Sequence, residues 1–326
     1  MEIIMLSIGI DISKASFDVA FLDTGKYQNK QFINDLKGFK ALIKWLKLHS
    51  KNKVFCMEAT GIYGVMLAKY LHQLGEQVIV ANPIKTNAFA KMEMSRNKTD
   101  KADAQSIARY CAHIIEKGDL NKNLFTPKGE AFECLQYLIT RLDQLSKMRS
   151  GENSRLQASL NKTASKSIRS ILRTIDKQTL VVEAEIESLV SNNKQLKAQV
   201  DLLNSINGIG NKTAWAIIAY MGDIALFDNA KQVTAFAGLN PKITQSGTSV
   251  NKTSLSKVGH KKLRKSLYMP ALVAVRYNPL MLDLYERLQQ KGKPKKVALC
   301  AVMRKLLVIS YGVLKSGRPF DVNYAK

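Results

Sequence analysis

Four carboxylates in the N-terminal part of the chain occupy positions at which acidic side chains could bind metal ions. Asp11 closes one apolar segment, and Glu58 closes a later one. An acid at the end of an apolar strand lies in a low-dielectric setting unless a positive charge pairs with it. Asp100 and Asp103 follow at a spacing of three, which on a helix places both side chains on one face. Their mutual repulsion makes a divalent cation a natural neighbour.

Carboxylates of this kind suit Mg²⁺, which prefers hard oxygen ligands and retains room for water and phosphate. Two such ions about 4 Å apart can activate a nucleophile and stabilise the leaving oxygen in phosphoryl transfer. Each acid alone has a simpler interpretation: Asp100 could cap a helix after Thr99, and Glu58 could pair with a lysine. Taken together and in this order, Asp11, Glu58, Asp100 and Asp103 favour metal binding.

The segments that must position these acids alternate between strands and helices. The predicted strands cover residues 3–10, 17–22, 31–34, 54–57 and 77–81, and the predicted helices cover 36–48, 65–74 and 100–111. Strands followed by crossover helices indicate an α/β domain with a partly parallel sheet, and Pro83 is expected to stop the last strand. Such sheets place their sites at strand C-termini, where Asp11 and Glu58 stand.

Residues 126–200 have a different, helical pattern. Apolar residues recur at helical spacing, and the pattern resumes after a polar stretch around residues 151–167. This indicates helices with a long apolar seam, either a coiled-coil hairpin or an ordinary bundle of two or three helices. We expect this region to separate two working domains, and it could form a dimer.

The charge of the chain is strongly positive and clustered. Fifty Lys and Arg against 26 Asp and Glu give a net charge of +24, and no acidic residue lies between Asp228 and Asp283. A generally cationic protein and a membrane-surface protein are the alternatives, but the clustering favours a phosphate-contacting surface. The candidate nucleic-acid-binding residues are Lys212, Lys252, Lys257, His260, Lys261, Lys262, Arg264 and Lys265.

Two glycines near the start of the C-terminal region form the turn Gly208-Ile209-Gly210 between apolar segments. The turn is similar to a helix-hairpin-helix element, in which backbone N–H groups approach a phosphate. A plain helical hairpin is the alternative, and Lys212 favours the nucleic-acid interpretation.

The sequence predicts a cytoplasmic protein without a membrane span. Residues 297–314 are apolar but are interrupted by Arg304 and Lys305, and the N-terminus lacks the features of a signal peptide. The four cysteines are scattered without metal-site or disulfide spacing, which is typical of a reducing compartment.

The order Asp11, Glu58, Asp100, Asp103 resembles the DEDD tetrad of the RuvC-like domain in the IS110 family of insertion-sequence transposases, relatives of the Piv DNA invertases. The similarity spans nearly the whole chain. The motifs that carry it are Glu58-Ala59-Thr60-Gly61, Asn97-Lys98-Thr99-Asp100, Ile206-Asn207-Gly208-Ile209-Gly210, Ala235-Phe236-Ala237-Gly238-Leu239, Ser246-Gly247-Thr248-Ser249, Lys257-Val258-Gly259-His260, Met303-Arg304-Lys305-Leu306 and Tyr311-Gly312-Val313-Leu314.

The resemblance implies three parts. An α/β RNase H/RuvC-like catalytic domain would occupy residues 1–125, and a helical coiled-coil dimerisation region would occupy 126–200. A mainly α C-terminal transposase domain, with a helix-hairpin-helix-like element, would occupy 201–326. The family motif aligns its nucleophilic serine with Ser246, which Pro241 and Gly247 are expected to place on a loop. Thr248, Ser249 and Ser254 are the alternative candidates for the nucleophile. Without the resemblance, the local sequence favours a turn residue with no catalytic role at Ser246.

The resemblance also implies an activity: excision and insertion of a mobile element through a covalent phosphoserine link to DNA. By the same resemblance, the carboxylates of another protomer would complete the site, and a noncoding bridge RNA would pair with target and donor DNA. The implied cofactors are two Mg²⁺ ions, which Mn²⁺ can replace. The implied assembly is a dimer or tetramer associated with the bacterial nucleoid and not with a membrane.

Two other hypotheses remain open. A RuvC-like nuclease would use the same carboxylates with metal-activated water, but it would leave the basic serine-bearing half unexplained. A non-catalytic nucleic-acid-binding protein would use the acids structurally and would show no dependence on divalent metal.

Overall fold

The computed structural model describes residues 5–49, 52–59, 61–93, 99–246 and 250–321. Some of the positions considered above lie outside these residues: 3–4 of the first predicted strand, Thr60, Asn97, Lys98, Gly247, Thr248, Ser249 and the side chain of Lys252. The chain divides into two compact units, Met1–Pro127 and Lys128–Lys326.

The first unit contains a five-stranded sheet in the order β3-β2-β1-β4-β5. Strands β1, β2 and β3 pair antiparallel, whereas β4 and β5 extend the sheet in parallel from β1. This confirms the predicted α/β domain with a partly parallel sheet. The strands are β1 (Leu6–Ile12), β2 (Ser16–Asp23), β3 (Lys26–Ile33), β4 (Lys53–Glu58) and β5 (Gln77–Ala81).

Among the described residues of this unit, five helices connect and cover the sheet: α1 (Leu36–Leu46), α2 (Val65–Gln73), α3 (Pro83–Met92), α4 (Asp100–Glu116) and α5 (Leu120–Asn123). The sequence pattern missed α3 because Pro83 was expected only to stop β5. Proline also suits the first turn of a helix, where its missing N–H has no partner to lose. Asn82 completes this helix start by accepting a hydrogen bond from the Ile84 N–H at 2.9 Å.

Apolar side chains cover both faces of the sheet. One core cluster joins β1 and β2 to the buried faces of α1 and α2, through residues such as Phe17, Leu42 and Leu67. The other joins β4 and β5 to α4, through residues such as Val54 and Ile107. A sheet covered on both faces leaves its strand C-termini as the place where polar side chains can meet.

The second unit is mainly helical, as predicted for the C-terminal region. It opens with two long helices, α6 (Glu130–Ala158) and α7 (Lys162–Asn192), which are joined by a short turn and pack side by side. The other helices are α8 (Lys194–Asn204), α9 (Asn211–Met221), α10 (Ala230–Phe236), α11 (Lys261–Ser266), α12 (Tyr268–Tyr277), α13 (Pro279–Gln290) and α14 (Lys295–Ser316).

One core runs through this unit. Leu135 and Ile139 of α6 and Ile186 and Val190 of α7 belong to the same buried cluster as the C-terminal helices. The long helices are thus attached to the C-terminal helices by apolar packing. Coiled-coil geometry and dimerisation stay predictions for residues 126–200.

Helix α14 lies at the centre of that core. By length and composition it is the one helix among the described residues that could cross a membrane, but half of its apolar window is buried inside the structure. Its buried residues include Val302, Leu306 and Ile309, which pack in the shared cluster. The apolar character of the helix is accounted for by this packing.

Strands β6 (Pro241–Ser246) and β7 (Val250–Leu255) form a separate antiparallel hairpin, here called the ribbon. The predicted loop position of Ser246 is therefore wrong, because Ser246 is the last residue of β6 and pairs with Val250. Pro241 does not prevent a strand, since a proline at its first residue removes no essential ladder hydrogen bond.

Candidate active site

Asp11 and Glu58 lie side by side at the C-terminal edge of the sheet. Strands β1 and β4 are parallel neighbours, and Ile10 pairs with Met57 immediately before the two acids. Both acids are half-buried. The sequence pattern predicted this edge because each acid ends an apolar run.

A glycine brings the other two acids to this edge. A Cβ on Gly9 would lie 2.1 Å from the carbonyl oxygen of Ala104 and 2.2 Å from the amide nitrogen of Ala108, so α4 packs directly on the backbone of β1. Gly9 and Asp11 point to the same face of the sheet, because they are two residues apart on one strand. Helix α4 therefore covers the face on which Asp11 stands.

The first turn of α4 carries Asp100 and Asp103. Thr99 starts the helix, and its side chain accepts a hydrogen bond from the Ala102 N–H at 3.2 Å. The cap is thus Thr99, while the two aspartates follow it inside the helix. This removes the capping explanation for Asp100.

The four carboxylates act on one another electrostatically. Burial, followed in order by the negative charges of Asp103, Asp100 and Glu58, raises the pKa of Asp11 to about 6. A cluster that makes one of its own acids hard to ionise is a site that favours a cation.

Asp18 is a fifth acid at this site, and the sequence analysis missed it. It pairs directly opposite Asp11 across β1 and β2, and its charge also raises the pKa of Asp11. Gln31 donates a hydrogen bond to the Asp18 carboxylate at 2.9 Å. The alternation of strand side chains could have revealed Asp18, but the register of β1 against β2 was needed to place it opposite Asp11.

Thr86 is a second neighbour that the sequence did not indicate. The residue is 4% exposed on α3, and its hydroxyl donates a hydrogen bond to Oε1 of Glu58. This contact fixes one oxygen of Glu58. No local signal identifies Thr86, because the contact joins α3 to the end of a distant strand.

The donor set suits a hard divalent cation, since all of its members are carboxylates. Among the described residues, no three His, Cys, Asp or Glu side chains are already gathered as a ligand cage. A bound cation would offset the repulsion between these charges, so the chemistry of the residues fits the predicted metal.

Ser246 belongs to the second unit, at the outer end of the ribbon. All six residues of β6 are exposed, Ser246 included. Of the competing hydroxyls, Ser254 pairs with Lys242 nearer the base of the ribbon, and Thr248 and Ser249 lie outside the described residues. Among the described hydroxyls in question, Ser246 is therefore the one nearest the tip.

The predicted basic surface is partly neutralised by acids from the long helices. Lys212 pairs with Glu183 of α7 at 2.5 Å, and Lys265 pairs with Asp143 of α6 at 3.1 Å. Hydrogen bonds from Lys147 and Lys265 hold the pKa of Asp143 below its usual range, against the opposing effect of burial. The acid-free interval of the sequence therefore does not make an acid-free surface, because packing brings carboxylates in from elsewhere.

His260 has structural partners within the protein, and its predicted contact with phosphate stays a prediction. It caps α11, and its Nδ1 accepts a hydrogen bond from the Leu263 N–H at 3.1 Å. Its ring stacks on Phe236, with the centroids 5.5 Å apart. Burial lowers the pKa of His260, and the charges of Lys262, Lys128 and Arg264 lower it further. A neutral imidazole is the form that this setting favours.

The remaining basic candidates differ in how free they are. Arg264 donates a hydrogen bond to the carbonyl of Ala237 at 2.7 Å, and Lys262 lies 5.7 Å from the ring centroid of Tyr220. Lys257 and Lys261 are exposed. A role in phosphate binding stays a prediction for the whole set.

The Gly208-Ile209-Gly210 turn joins α8 to α9 in a helical hairpin. Gly208 has a φ of +104°, and a Cβ there would lie 2.7 Å from Cβ of Ala274. Close packing against α12 therefore requires a glycine at position 208. The plain hairpin that the sequence left open accounts for this turn, and phosphate binding by it stays a prediction.

Comparison with known proteins finds a matching family model in each part of the chain. The DEDD transposase model of IS110 elements matches residues 8–164, and the model for transposases of the IS116/IS110/IS902 family matches residues 200–286. The pilin gene-inverting proteins of Moraxella lacunata and Moraxella bovis are each 36% identical over 320 residues, covering 96% of this chain and 97% of theirs. The chain belongs to the IS110 family of transposases.

The family assignment extends beyond the invertases. The transposase of insertion sequence IS1111A from Coxiella burnetii is 23% identical over 307 residues, covering 83% of this chain and 78% of its own length. The family member described here is a DNA transposase or recombinase, and it acts on DNA. DEDD transposase domains generally depend on metal ions.

Proposed function

We propose that this IS110-family enzyme excises and inserts a mobile element by metal-assisted strand cleavage and rejoining through a phosphoserine at Ser246. The observation that carries the proposal is the convergence of Asp11, Glu58, Asp100 and Asp103 on one sheet edge. Burial and the neighbouring charges together raise the pKa of Asp11, so the ionised cluster is unfavourable without a cation to neutralise it.

The first unit supplies the metal site in this proposal. The sheet order β3-β2-β1-β4-β5, with three antiparallel and two parallel strands, supports an RNase H/RuvC-like fold. Asp11, Glu58, Asp100 and Asp103 would hold two Mg²⁺ ions, or Mn²⁺ in their place. Ions bound there would supply Lewis acidity, which would favour ionisation of the attacking hydroxyl and stabilise charge on the leaving oxygen.

Ser246 performs the covalent step. Its Oγ loses a proton and attacks the scissile phosphorus, so an Oγ–P bond forms while the P–O bond to the leaving strand breaks. The leaving oxygen takes up a proton. Attack by the hydroxyl of an incoming strand reverses the same bonds, joins the new strand and restores the serine. The energy of the broken phosphodiester is kept in the phosphoserine, so rejoining needs no external energy source.

The partners follow from the family and from the charge. A net charge of +24 suits contact with nucleic acid, both the ends of the mobile element and the target. We infer that a bridge RNA supplies sequence specificity and that the carboxylates of another protomer complete the serine site in a dimer or tetramer. The exposed Lys257 and Lys261 are the best placed of the predicted basic residues to contact phosphates.

A cleavage assay on DNA carrying the end of the mobile element tests the metal-dependent step. The protein is purified with its RNA and incubated with labelled DNA, with Mg²⁺ or with a chelator. We expect strand cleavage only with Mg²⁺, and its loss in Asp11→Asn and Asp103→Asn. Asp119→Asn is the matched control, since Asp119 pairs with the exposed Lys122 elsewhere in the same unit. Full cleavage by Asp11→Asn, or cleavage in the chelator, would contradict the proposal.

A further inference from the structure

The ribbon projects from the second unit with little support of its own. It is anchored at its base, where the Ser256 N–H donates to the carbonyl of Asn240 at 2.9 Å and Leu255 packs against the core. Within the described residues its two strands pair only with each other, and every residue of β6 is exposed. An isolated two-stranded hairpin is only marginally stable in water, so a binding partner would stabilise it.

The two faces of the ribbon differ in chemistry. Side chains alternate along a strand, so Lys242, Thr244 and Ser246 share one face while Ile243 lies on the other. The register places Thr253 opposite Ile243 on that second face. On β6, the face that carries the candidate nucleophile therefore presents one ammonium group and two hydroxyls in a row, and Ser254 of β7 lies opposite Lys242 on the same face.

A polyanion fits the Ser246 face. No acidic residue lies between Asp228 and Asp283, so the ribbon sequence itself carries no negative charge. The ribbon also has no aromatic residue on which a base could stack. Hydroxyl and ammonium donors without aromatic rings are suited to the phosphate backbone.

The spacing of alternate side chains along β6 matches the spacing of phosphates along an extended nucleic-acid strand. Alternate residues of an antiparallel strand are about 7 Å apart. This is close to the separation of successive phosphates along one nucleic-acid strand. A ribbon laid along such a strand would meet one phosphate with each residue of this face.

We propose that the Ser246 face of the ribbon binds the backbone of the DNA strand that is cut, with Thr244 and Lys242 contacting the next two phosphates. The inference rests on the proposed role of Ser246 for its register on the DNA. Thr244 donates its hydroxyl hydrogen to one phosphate, and Lys242 forms an ion pair with the other. Both are positioning residues, which align the scissile phosphate with the Ser246 hydroxyl.

Binding measurements with single neutralised phosphates test this alignment. DNA carrying the end of the mobile element is prepared with one methylphosphonate at each successive position around the cleavage site. Affinity is measured at several salt concentrations for protein with Ser246→Ala, so that no cleavage intervenes. Lys242→Gln and Thr244→Val are compared in this background with Lys231→Gln, an exposed lysine of α10, and with Thr253→Val on the opposite face.

We expect Lys242→Gln to weaken binding about tenfold and to reduce the salt slope by about one. The loss should disappear on DNA whose second phosphate from the cleavage site is neutral. Thr244→Val should lower the affinity for DNA several-fold, and this loss of affinity should disappear on DNA whose first phosphate from the cleavage site is neutral. The Thr253→Val variant should bind like the parent, and the effect of Lys231→Gln should not depend on either phosphate.

Three results would overturn the proposal. Lys242→Gln could behave like Lys231→Gln, or its loss of affinity could persist whichever phosphate is neutralised. The loss of affinity could also appear in binding to the RNA alone and not in binding to DNA. These outcomes are separate from those of the serine chemistry, because binding is measured without cleavage. A covalent adduct at Ser246 could form while the phosphate coupling fails, and the coupling could hold while no adduct forms.

Discussion

Asp11 is the residue whose ionisation is most strongly affected by the site. In the unfolded chain its pKa is near the usual 3.8, and in the fold the pKa is about 6. The folded protein therefore holds the Asp11 proton more tightly than the unfolded chain. This contribution to stability is complete below about pH 4 and is lost as the pH rises through 6.

We expect Asp11→Asn to stabilise the metal-free protein above pH 6 by about 1 kcal/mol, because Asp11 is half-buried and solvent screens part of the repulsion. Below pH 4 the variant and the wild type should unfold at similar temperatures. Mg²⁺ should raise the unfolding temperature of the wild type at pH 7.5 and leave that of the variant unchanged. Thermal unfolding across this pH range, with and without Mg²⁺, measures both effects. A less stable Asp11→Asn at pH 7.5 without metal would contradict the charge cluster.

At the scale of strands and helices, the approach of α4 to β1 decides whether the acids meet. Gly9 permits that approach because it has no Cβ, and Asp103 and Asp100 follow from the helix start at Thr99. The sequence indicated that Asp11 and Glu58 end strands and that Asp100 and Asp103 share a helix face. It could not indicate Thr86 or Asp143, since their contacts depend on packing between distant segments, and placing Asp18 opposite Asp11 required the register of β1 against β2.

The predicted loop at Ser246 failed for a related reason. Pro241 and Gly247 are turn-forming residues, and the residues between them are polar except for Ile243, so a local pattern indicates no strand. The strand forms because β7 pairs with it residue by residue, from Pro241 with Leu255 to Ser246 with Val250. Pairing of this kind is a property of two segments and is weakly encoded in either one.

We expect Gly9→Ala to destabilise the first unit by about 3 kcal/mol, the upper part of the usual range for overpacking, because the new methyl group meets backbone atoms that cannot move aside. The displaced α4 should also bind Mg²⁺ more weakly. Gly210→Ala is the control, since Gly210 has a φ of −111° and no atom within contact distance of a new Cβ. Chemical denaturation and calorimetric titration with Mg²⁺ measure the two effects. Equal stability of Gly9→Ala and the wild type would contradict the close packing.

At the scale of the whole molecule, the net charge is +24, but some of the lysines that contribute to it are already paired with carboxylates. Asp143 holds both Lys147 and Lys265, at 2.8 and 3.1 Å, and Glu183 holds Lys212. These carboxylates compete with phosphates for the same lysines. The apparent surplus of charge is therefore reduced where α6 and α7 pack on the C-terminal helices.

We expect Asp143→Asn to strengthen binding to DNA of unrelated sequence several-fold and to steepen its salt dependence by about one, because a lysine becomes available to a phosphate. Asp119→Asn changes the net charge equally but releases Lys122 in the other unit, and it should have a smaller effect. Fluorescence anisotropy over a range of salt concentrations measures both slopes. Identical slopes for the two variants would show that only net charge matters.

The central claim is that Ser246 becomes covalently linked to DNA with the help of the carboxylate site. Its most direct test is to incubate the protein with its RNA, DNA carrying the end of the mobile element and Mg²⁺. The products are denatured, digested and analysed by mass spectrometry. We expect a DNA-linked peptide containing Ser246, which is retained in Ser254→Ala and lost in Ser246→Ala, in Asp11→Asn and on chelation of Mg²⁺. Cleaved DNA without any adduct would contradict the serine mechanism and would indicate a nuclease that uses water.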